Sequence, residues 1–156
     1  MTIRRVRVED IPRLIEMIYH YRRVEFNKEI PESKKMDIEI ALKKIMMRRG
    51  SYLRGYVDPD GEVVGYILYH IHDYPIIMGK EAYISDLLVR SDKRGAGIGS
   101  ALLDHAEMHA KRVGCTRLML NNPKEGESYQ RFYYKKHGYV ERMNFANFVK
   151  YLEMIK

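Results

Sequence analysis

An α/β fold with mixed strand directions is what this sequence predicts, and three observations carry it. Two stretches with helical apolar spacing precede a change of period near Tyr52, after which β-branched and aromatic runs dominate. The tetrad Asp58-Pro59-Asp60-Gly61 separates two such runs and reads as a hairpin turn. Further on, a densely apolar strand, a glycine-rich loop and an amphipathic helix follow one another directly.

Element by element, Asp10 is placed to cap a first helix bearing Ile11, Leu14, Ile15, Ile18 and Tyr19, with Pro12 tolerated in its first turn and an end near Phe26. Ile38, Ala41, Leu42, Ile45 and Met46 repeat the helical pattern up to Gly50. Tyr52–Val57 and Glu62–His72 form the hairpin, and Glu81–Arg90 is dense enough in apolar residues to be a central strand. Leu102, Leu103, Ala106, Ala110 and Val113 mark a helix from Ser100 to Val113, stopped by Gly114. A short strand at Arg117–Leu120, a helix at Ser128–His137 closed by Gly138, and a last strand at Phe145–Met154 complete the expectation.

With 156 residues, 46% of them hydrophobic and 31% charged, one soluble domain spanning residues 1–156 is expected. No apolar run approaches the roughly 18 residues that span a membrane. Arg4, Arg5 and Arg7 are followed by Glu9 and Asp10 rather than by the apolar segment of a secretory signal, so a cytoplasmic protein is expected. A lone Cys115 excludes an internal disulfide and a cysteine-based zinc cluster. The net charge of +7 suits a polyanionic partner such as nucleic acid, an acidic surface or a phosphorylated cofactor.

Nucleic-acid binding is the rival function class, with Arg4, Arg5, Arg7, Arg22, Arg23, Arg48, Arg49, Lys111 and Arg112 as phosphate contacts. These charges are scattered over several elements and lack the aromatic interleaving of a single-strand platform, which counts against that reading. The histidines invite a metal reading, since His70 and His72 share a strand face and His105 and His109 lie one helical turn apart. No carboxylate or cysteine stands nearby at ligand spacing, and the helical pair is expected on the solvent side opposite Leu102, Ala106 and Ala110, so no metal is expected.

The segment from Tyr83 to Ser100 is the informative one. Gly95, Gly97 and Gly99 alternate between a buried strand and a helix, where the absence of side chains lets a ligand approach the backbone. Helix-start N–H groups and the helix dipole then make an anion site suited to a pyrophosphate, with Lys93 and Arg94 adding charge. Gly99 is followed by Ser100-Ala101, so the lysine of a nucleoside-triphosphate loop is missing. The spacing G-x-G-x-G also misses the dinucleotide fingerprint, and no acid stands roughly 20 residues on to hold a ribose.

Arg94-Gly95-Ala96-Gly97-Ile98-Gly99 resembles the acyl-CoA loop R-x-x-G-x-G of the GCN5-related N-acetyltransferase (GNAT) family. Around it, Tyr83–Val89 is similar to that family's fourth strand, Ser100–Val113 to its third helix and Cys115–Asn121 to its fifth strand. The run Phe132-Tyr133-Tyr134-Lys135-Lys136-His137-Gly138-Tyr139 resembles its F-Y-x-x-x-G-F signature, with Tyr134 in the place of the family tyrosine. The resemblance implies a mixed, largely antiparallel sheet of six or seven strands with about four helices, and acetyl-CoA bound where two parallel strands splay apart. It further implies that Leu87, Leu88 and Val89 offer backbone groups to the pantetheine arm, that Arg94, Gly95, Ala96, Gly97, Ile98, Gly99 and Ser100 wrap the pyrophosphate, and that Tyr134 points at the thioester sulfur. Glu127 stands where many members have an asparagine, with Asn121 or Asn122 as substitutes. Acetyl-CoA and an amine are the implied partners, and a homodimer is open to the chain because members often dimerise. Gly65–Gly99 is also similar to the diamine and polyamine branch, although Ser85 replaces a second acid there.

The implied chemistry needs no covalent nucleophile. A lysine-like amine with a pKa near 10.4 is almost wholly protonated at neutral pH, so a carboxylate or a water relay must remove its proton. Asp86 on the central strand is the first candidate and Glu81 the second. A tyrosine with an unperturbed pKa near 10 can protonate a departing thiolate whose thiol pKa is near 8.5, which is the general-acid role implied for Tyr134.

Overall fold

A computed structural model describes residues 2–152. The chain divides after Asn121 into two compact units. The first holds a five-stranded sheet in the order β1-β2-β3-β4-β5: β1 is Thr2–Arg5, β2 Ser51–Val57, β3 Val63–Tyr74, β4 Gly79–Val89 and β5 Cys115–Leu120. The pairs β1–β2, β2–β3 and β3–β4 are antiparallel, and β5 runs parallel to β4. The mixed α/β class is as expected, with five strands among the described residues instead of six or seven.

Strand β1 has no counterpart in the sequence expectation. Its four residues alternate too briefly to signal a strand, and the pairing of Thr2–Arg5 with Val57–Arg54 fixes it. The hairpin turn is tied by the Asp58 carboxylate, which accepts the N–H groups of Asp60 and Glu62, both at 3.0 Å.

Helices α1 (Ile11–Phe26) and α2 (Lys35–Met47) cover one face of the sheet. Their buried Leu14, Ile15, Met17 and Leu42 join Leu53, Val57, Val63, Tyr66 and Leu68 in the main core. Asp10 does not cap α1 with its side chain. Its carboxylate instead accepts two bonds from the Arg4 guanidinium and one from the Arg7 N–H, closing a 3-10 turn at Val8–Asp10. That fork holds the Asp10 carboxyl below the usual range against the opposing effect of burial.

The opposite face is covered by α3 (Ile98–Arg112), whose Leu102, Leu103, Ala106 and Ala110 are buried. Gly65 permits this close approach, since a Cβ there would lie 3.0 Å from Ile98 Cγ2 and 3.4 Å from Leu102 Cδ1. His109 departs from the solvent position expected of it. It is packed edge-on against Tyr52 and shares a 2.8 Å hydrogen bond between its Nδ1 and the Tyr69 hydroxyl. Burial pushes that phenol up to about 12 and the imidazole down, which favours the uncharged form of both groups. His105, also partly buried, is lowered for the same reason.

In the second unit, the expected single helix at Ser128–His137 is two short ones, α4 (Glu127–Gln130) and α5 (Tyr133–Lys136). Phe132 breaks them apart with a left-handed backbone, φ 55°, that no helix can continue through. Residues 145–152 form no strand; Phe145, Phe148, Val149, Tyr151 and Leu152 are exposed, and Met154 lies outside the described residues. A run of apolar and aromatic residues does not by itself make a strand.

Candidate functional site

The β4–β5 ladder runs from Lys80–Cys115 to Ile84–Leu120, while on its other edge β4 stays paired with β3 as far as Val89. Ser85 to Val89 therefore keep one edge beyond the described pairs of the parallel ladder. Leu87, Leu88 and Val89, the residues expected to face a pantetheine arm, lie in this stretch. A main chain with one such edge can bond an extended, amide-bearing ligand in the manner of an added strand.

Past a 3-10 turn at Ser91–Lys93 comes the glycine loop. Gly95 and Gly97 take positive φ values of 81° and 78°, and a Cβ at either would meet nothing within 4 Å. They are glycine for backbone conformation and not for lack of room inside the protein, which leaves the open space above them to a ligand. Gly97 is the N-cap of α3, and the first helical bond runs from the Ala101 N–H to the Gly97 carbonyl at 3.0 Å. The N–H groups of Ile98, Gly99 and Ser100 stand ahead of that ladder at the positive end of a 15-residue helix. Arg94 Nε donates to the Val89 carbonyl at 3.4 Å, bringing its guanidinium back toward the end of β4. This arrangement fits a pyrophosphate followed by an extended arm.

A cavity of about 260 Å³ adjoins the same strand end, lined among others by Glu16, His20 and Tyr21 of α1 and by Leu88, Val89 and Arg94. Arg90, at its rim, is held by Asp92 at 2.7 Å and Glu62 at 3.3 Å.

Ser85 is an extra residue in β4: Leu68 pairs with Asp86 and Tyr69 with Ile84, so Ser85 has no opposite number. The bulge sets which side chains share the α1 face of the sheet. On that face lie Glu81, Tyr83, Asp86 and Leu88 of β4 with Tyr66, Leu68, His70 and His72 of β3. Asp86 is partly buried and burial raises its pKa. Tyr66, diagonal to it, is completely buried and its phenol is raised well above the usual range, first by burial and then by the Asp86 charge and Tyr21. Tyr21 is raised by burial, with the charges of Glu25 and Asp86 adding to it.

The two candidate bases are thus in different situations. Glu81, 3% exposed, is bound by Arg117 of β5, its cross-strand partner, with His72 Nε2 at 3.7 Å on the other side. Its carboxylate is committed to a buried ion pair. Asp86 makes no hydrogen bond or ion pair with another described residue.

Asn121 donates from Nδ2 to the Tyr83 hydroxyl at 3.0 Å, at the end of β5. In the second unit, Asn122 Oδ1 accepts from the Ser128 hydroxyl at 2.8 Å. Glu127 opens α4 and pairs with Arg131 at 3.3 Å. Tyr134 sits in α5 with its ring edge-on to Tyr133 and Tyr139, at centroid distances of 5.2 and 5.7 Å. Cys115 begins β5, where burial raises its thiol and disfavours a nucleophilic thiolate. The described residues include no group of three or more histidine, cysteine, aspartate or glutamate side chains able to hold a metal, and no helix long and apolar enough to cross a membrane. Of the scattered basic residues, Arg4 and Lys111 are occupied by Asp10 and Glu107.

Sequence reasoning missed Tyr66 and Tyr21. The available signal was the alternation Tyr66, Leu68, His70 in β3, but which β4 residues share its face depends on the bulge at Ser85.

The family model described as Acetyltransferase (GNAT) family matches residues 15–139. A thialysine N-epsilon-acetyltransferase from Bos taurus is 38% identical over 64 residues, which are 40% of this chain and 37% of that protein's length. Among solved structures, a transcriptional regulator from Bacillus halodurans superposes with a TM-score of 0.82 at 24% identity, covering 97% of this chain and 99% of that one. Glucosamine-6-phosphate N-acetyltransferase from Arabidopsis thaliana gives a TM-score of 0.74 at 18% identity, covering 97% and 98%. At these identities the likeness to the solved structures is one of fold.

Proposed function

Because the chain belongs to the acetyltransferase (GNAT) family, which uses acetyl-CoA as cosubstrate, we propose that it transfers the acetyl group of acetyl-CoA to a primary amine by direct attack in a ternary complex. The observation that carries this reading is the succession of a β4 edge that extends beyond the described pairs of the parallel ladder, a glycine loop with positive φ at Gly95 and Gly97, and the start of α3. Such a surface takes a pyrophosphate and an extended amide-bearing arm together. Leu87, Leu88 and Val89 hold the arm, and Arg94 to Ser100 the pyrophosphate. The Bos taurus relative, by its name, acetylates an ε nitrogen, which supports an amine at the end of a chain as acceptor.

Acetyl-CoA supplies an activated acyl group: the amine nitrogen forms the C–N bond, the C–S bond breaks, and its electron pair leaves on sulfur. The chain's own residues manage the protons. Asp86, ionised, takes one proton from the ammonium and frees the lone pair. Tyr134 gives its hydroxyl proton to the departing sulfur and is reprotonated by the proton the new amide nitrogen sheds. Glu81 is left to its ion pair with Arg117.

Gly97→Ala tests the cofactor placement. The added methyl meets open space within the protein but stands where the phosphates would approach, and the left-handed backbone costs on the order of 1 kcal/mol for a non-glycine residue. Calorimetric titration is expected to show acetyl-CoA affinity reduced at least about tenfold with the fold retained. Unchanged affinity in a folded variant would remove the loop from the cofactor site.

A further inference from the structure

We propose that the basic cluster formed by Arg54 of β2 with His105, His109 and Arg112 of α3 is a binding site for a tetrahedral dianion of the phosphate or sulfate type, separate from the glycine loop. The geometry brings the four together through one ring. Tyr52 and Arg54 stand two residues apart in β2 and so share a face of the sheet, and the Arg54 guanidinium lies over the Tyr52 ring at 5.5 Å. His109 packs on the same ring at a centroid distance of 4.5 Å, and Tyr52 in turn stacks on its cross-strand partner Tyr69 at 5.2 Å. His105 precedes His109 by one helical turn and Arg112 follows it by another, so the three share one side of α3. Arg54, His105 and His109 are half-buried and Arg112 is exposed, which leaves the cluster open to solvent. His109 lies about 13.5 Å along the helix axis from Ser100, where the glycine loop ends.

What the cluster lacks is an acid. Arg4, Arg13, Arg90 and Arg117 each meet a carboxylate, whereas neither Arg54 nor Arg112 meets one among the described residues. Arg5, directly opposite Arg54 in the β1–β2 register, adds a like charge and is turned to the Met46 carbonyl. The acids of α3 do not answer it: Glu107 holds Lys111 at 2.6 Å, and Asp104 bonds to no described residue. The negative end of the α3 dipole accounts for Arg112 but not for Arg54, which stands on a strand. Both imidazoles feel the excess, being lowered first by burial and then by the two guanidinium charges. The groups that face them are Tyr52 and Arg54 of β2, Tyr69 of β3 and, on α3, Arg112 and each other. A dianion bonded to the two guanidinium forks supplies the missing counter-charge and draws protons onto the imidazoles, whose N–H groups then complete its shell.

The test follows the ring protons of His105 and His109 by NMR, assigned with His105→Gln and His109→Gln, while sodium sulfate replaces sodium chloride at constant ionic strength. Sulfate keeps both its charges throughout the range in which histidine titrates, so any change in that range belongs to the protein. At saturation the pKa of both imidazoles is expected to rise by about 1 pH unit. By reciprocity, sulfate then binds about tenfold more tightly to the protonated site than to the neutral one. Arg54→Gln and Arg112→Gln, each shown to be folded by thermal unfolding, are expected to weaken sulfate binding at least about tenfold. Imidazole pKa values that do not move as sulfate replaces chloride, or an equal response in either folded variant, would overturn the site. Inorganic phosphate and methyl phosphate, compared as dianions, distinguish a free ion from an ester. A response to both admits an ester, a response to inorganic phosphate alone restricts the site to the free ion, and a response to neither overturns it. Acetyl-CoA takes no part in these measurements, so the acetyltransferase reading and the anion site stand or fall separately.

Discussion

Replacing Asp86 with asparagine is expected to lower turnover by about 10² to 10⁴ fold while making the protein more stable at neutral pH. Both signs follow from burial. The folded-state pKa of Asp86 lies above its ordinary value of 3.8. The neutral carboxyl is therefore the form the fold prefers, and the stability it contributes is complete below 3.8 and declines as pH rises through the folded value. At neutral pH the wild type carries a partly buried charge that asparagine removes. Activity runs the other way, because only the ionised carboxylate accepts a proton. The acid limb of kcat/KM is expected at a pH above 3.8 in wild type and to vanish from the residual activity of Asp86→Asn. Denaturant unfolding and a pH profile on the same preparations check the pair of signs. A variant that loses stability at neutral pH and keeps turnover would assign Asp86 a purely structural role.

Tyr134→Phe separates chemistry from packing in the second unit. The ring contacts with Tyr133 and Tyr139 survive the substitution. A tyrosine with a packing role would lose about 1 kcal/mol at most and keep its turnover. A general acid would lose about 10² to 10⁴ fold in turnover with acetyl-CoA affinity little changed, since the interaction belongs to the transition state. Tyr133→Phe is the control: it is expected to stay active. If Tyr133→Phe were crippled and Tyr134→Phe active, the acid would be Tyr133.

Most of the first unit was legible in the sequence because its signals are local. Helical spacing at Leu102, Leu103, Ala106 and Ala110, the turn at Asp58–Gly61 and the alternate glycines each specify one backbone outcome. What was not legible depends on pairing. Strand β1 exists through its contact with β2, whereas the apolar run at 145–152 stays irregular. The break at Phe132 was hidden because apolar spacing continues across it while its backbone turns left-handed. In the site, Asp86 stood out as an acid in an apolar strand, and the glycine loop by its spacing. Tyr66 and Tyr21 did not, since the one-residue bulge at Ser85 decides which side chains join Asp86. His109 was misplaced for a related reason: helical periodicity put it opposite the core, and Tyr52 and Tyr69 on the sheet drew it in.

Acetyl transfer to a primary amine is tested most simply by the release of coenzyme A thiol from acetyl-CoA by the wild-type protein, with and without n-butylamine, and with the product identified by mass spectrometry. Thiol release is expected to depend on the amine, to saturate in it, and to yield N-acetylbutylamine in equal amount. Thiol release that is the same without amine, or none with any primary amine, would contradict acetyl transfer to a primary amine.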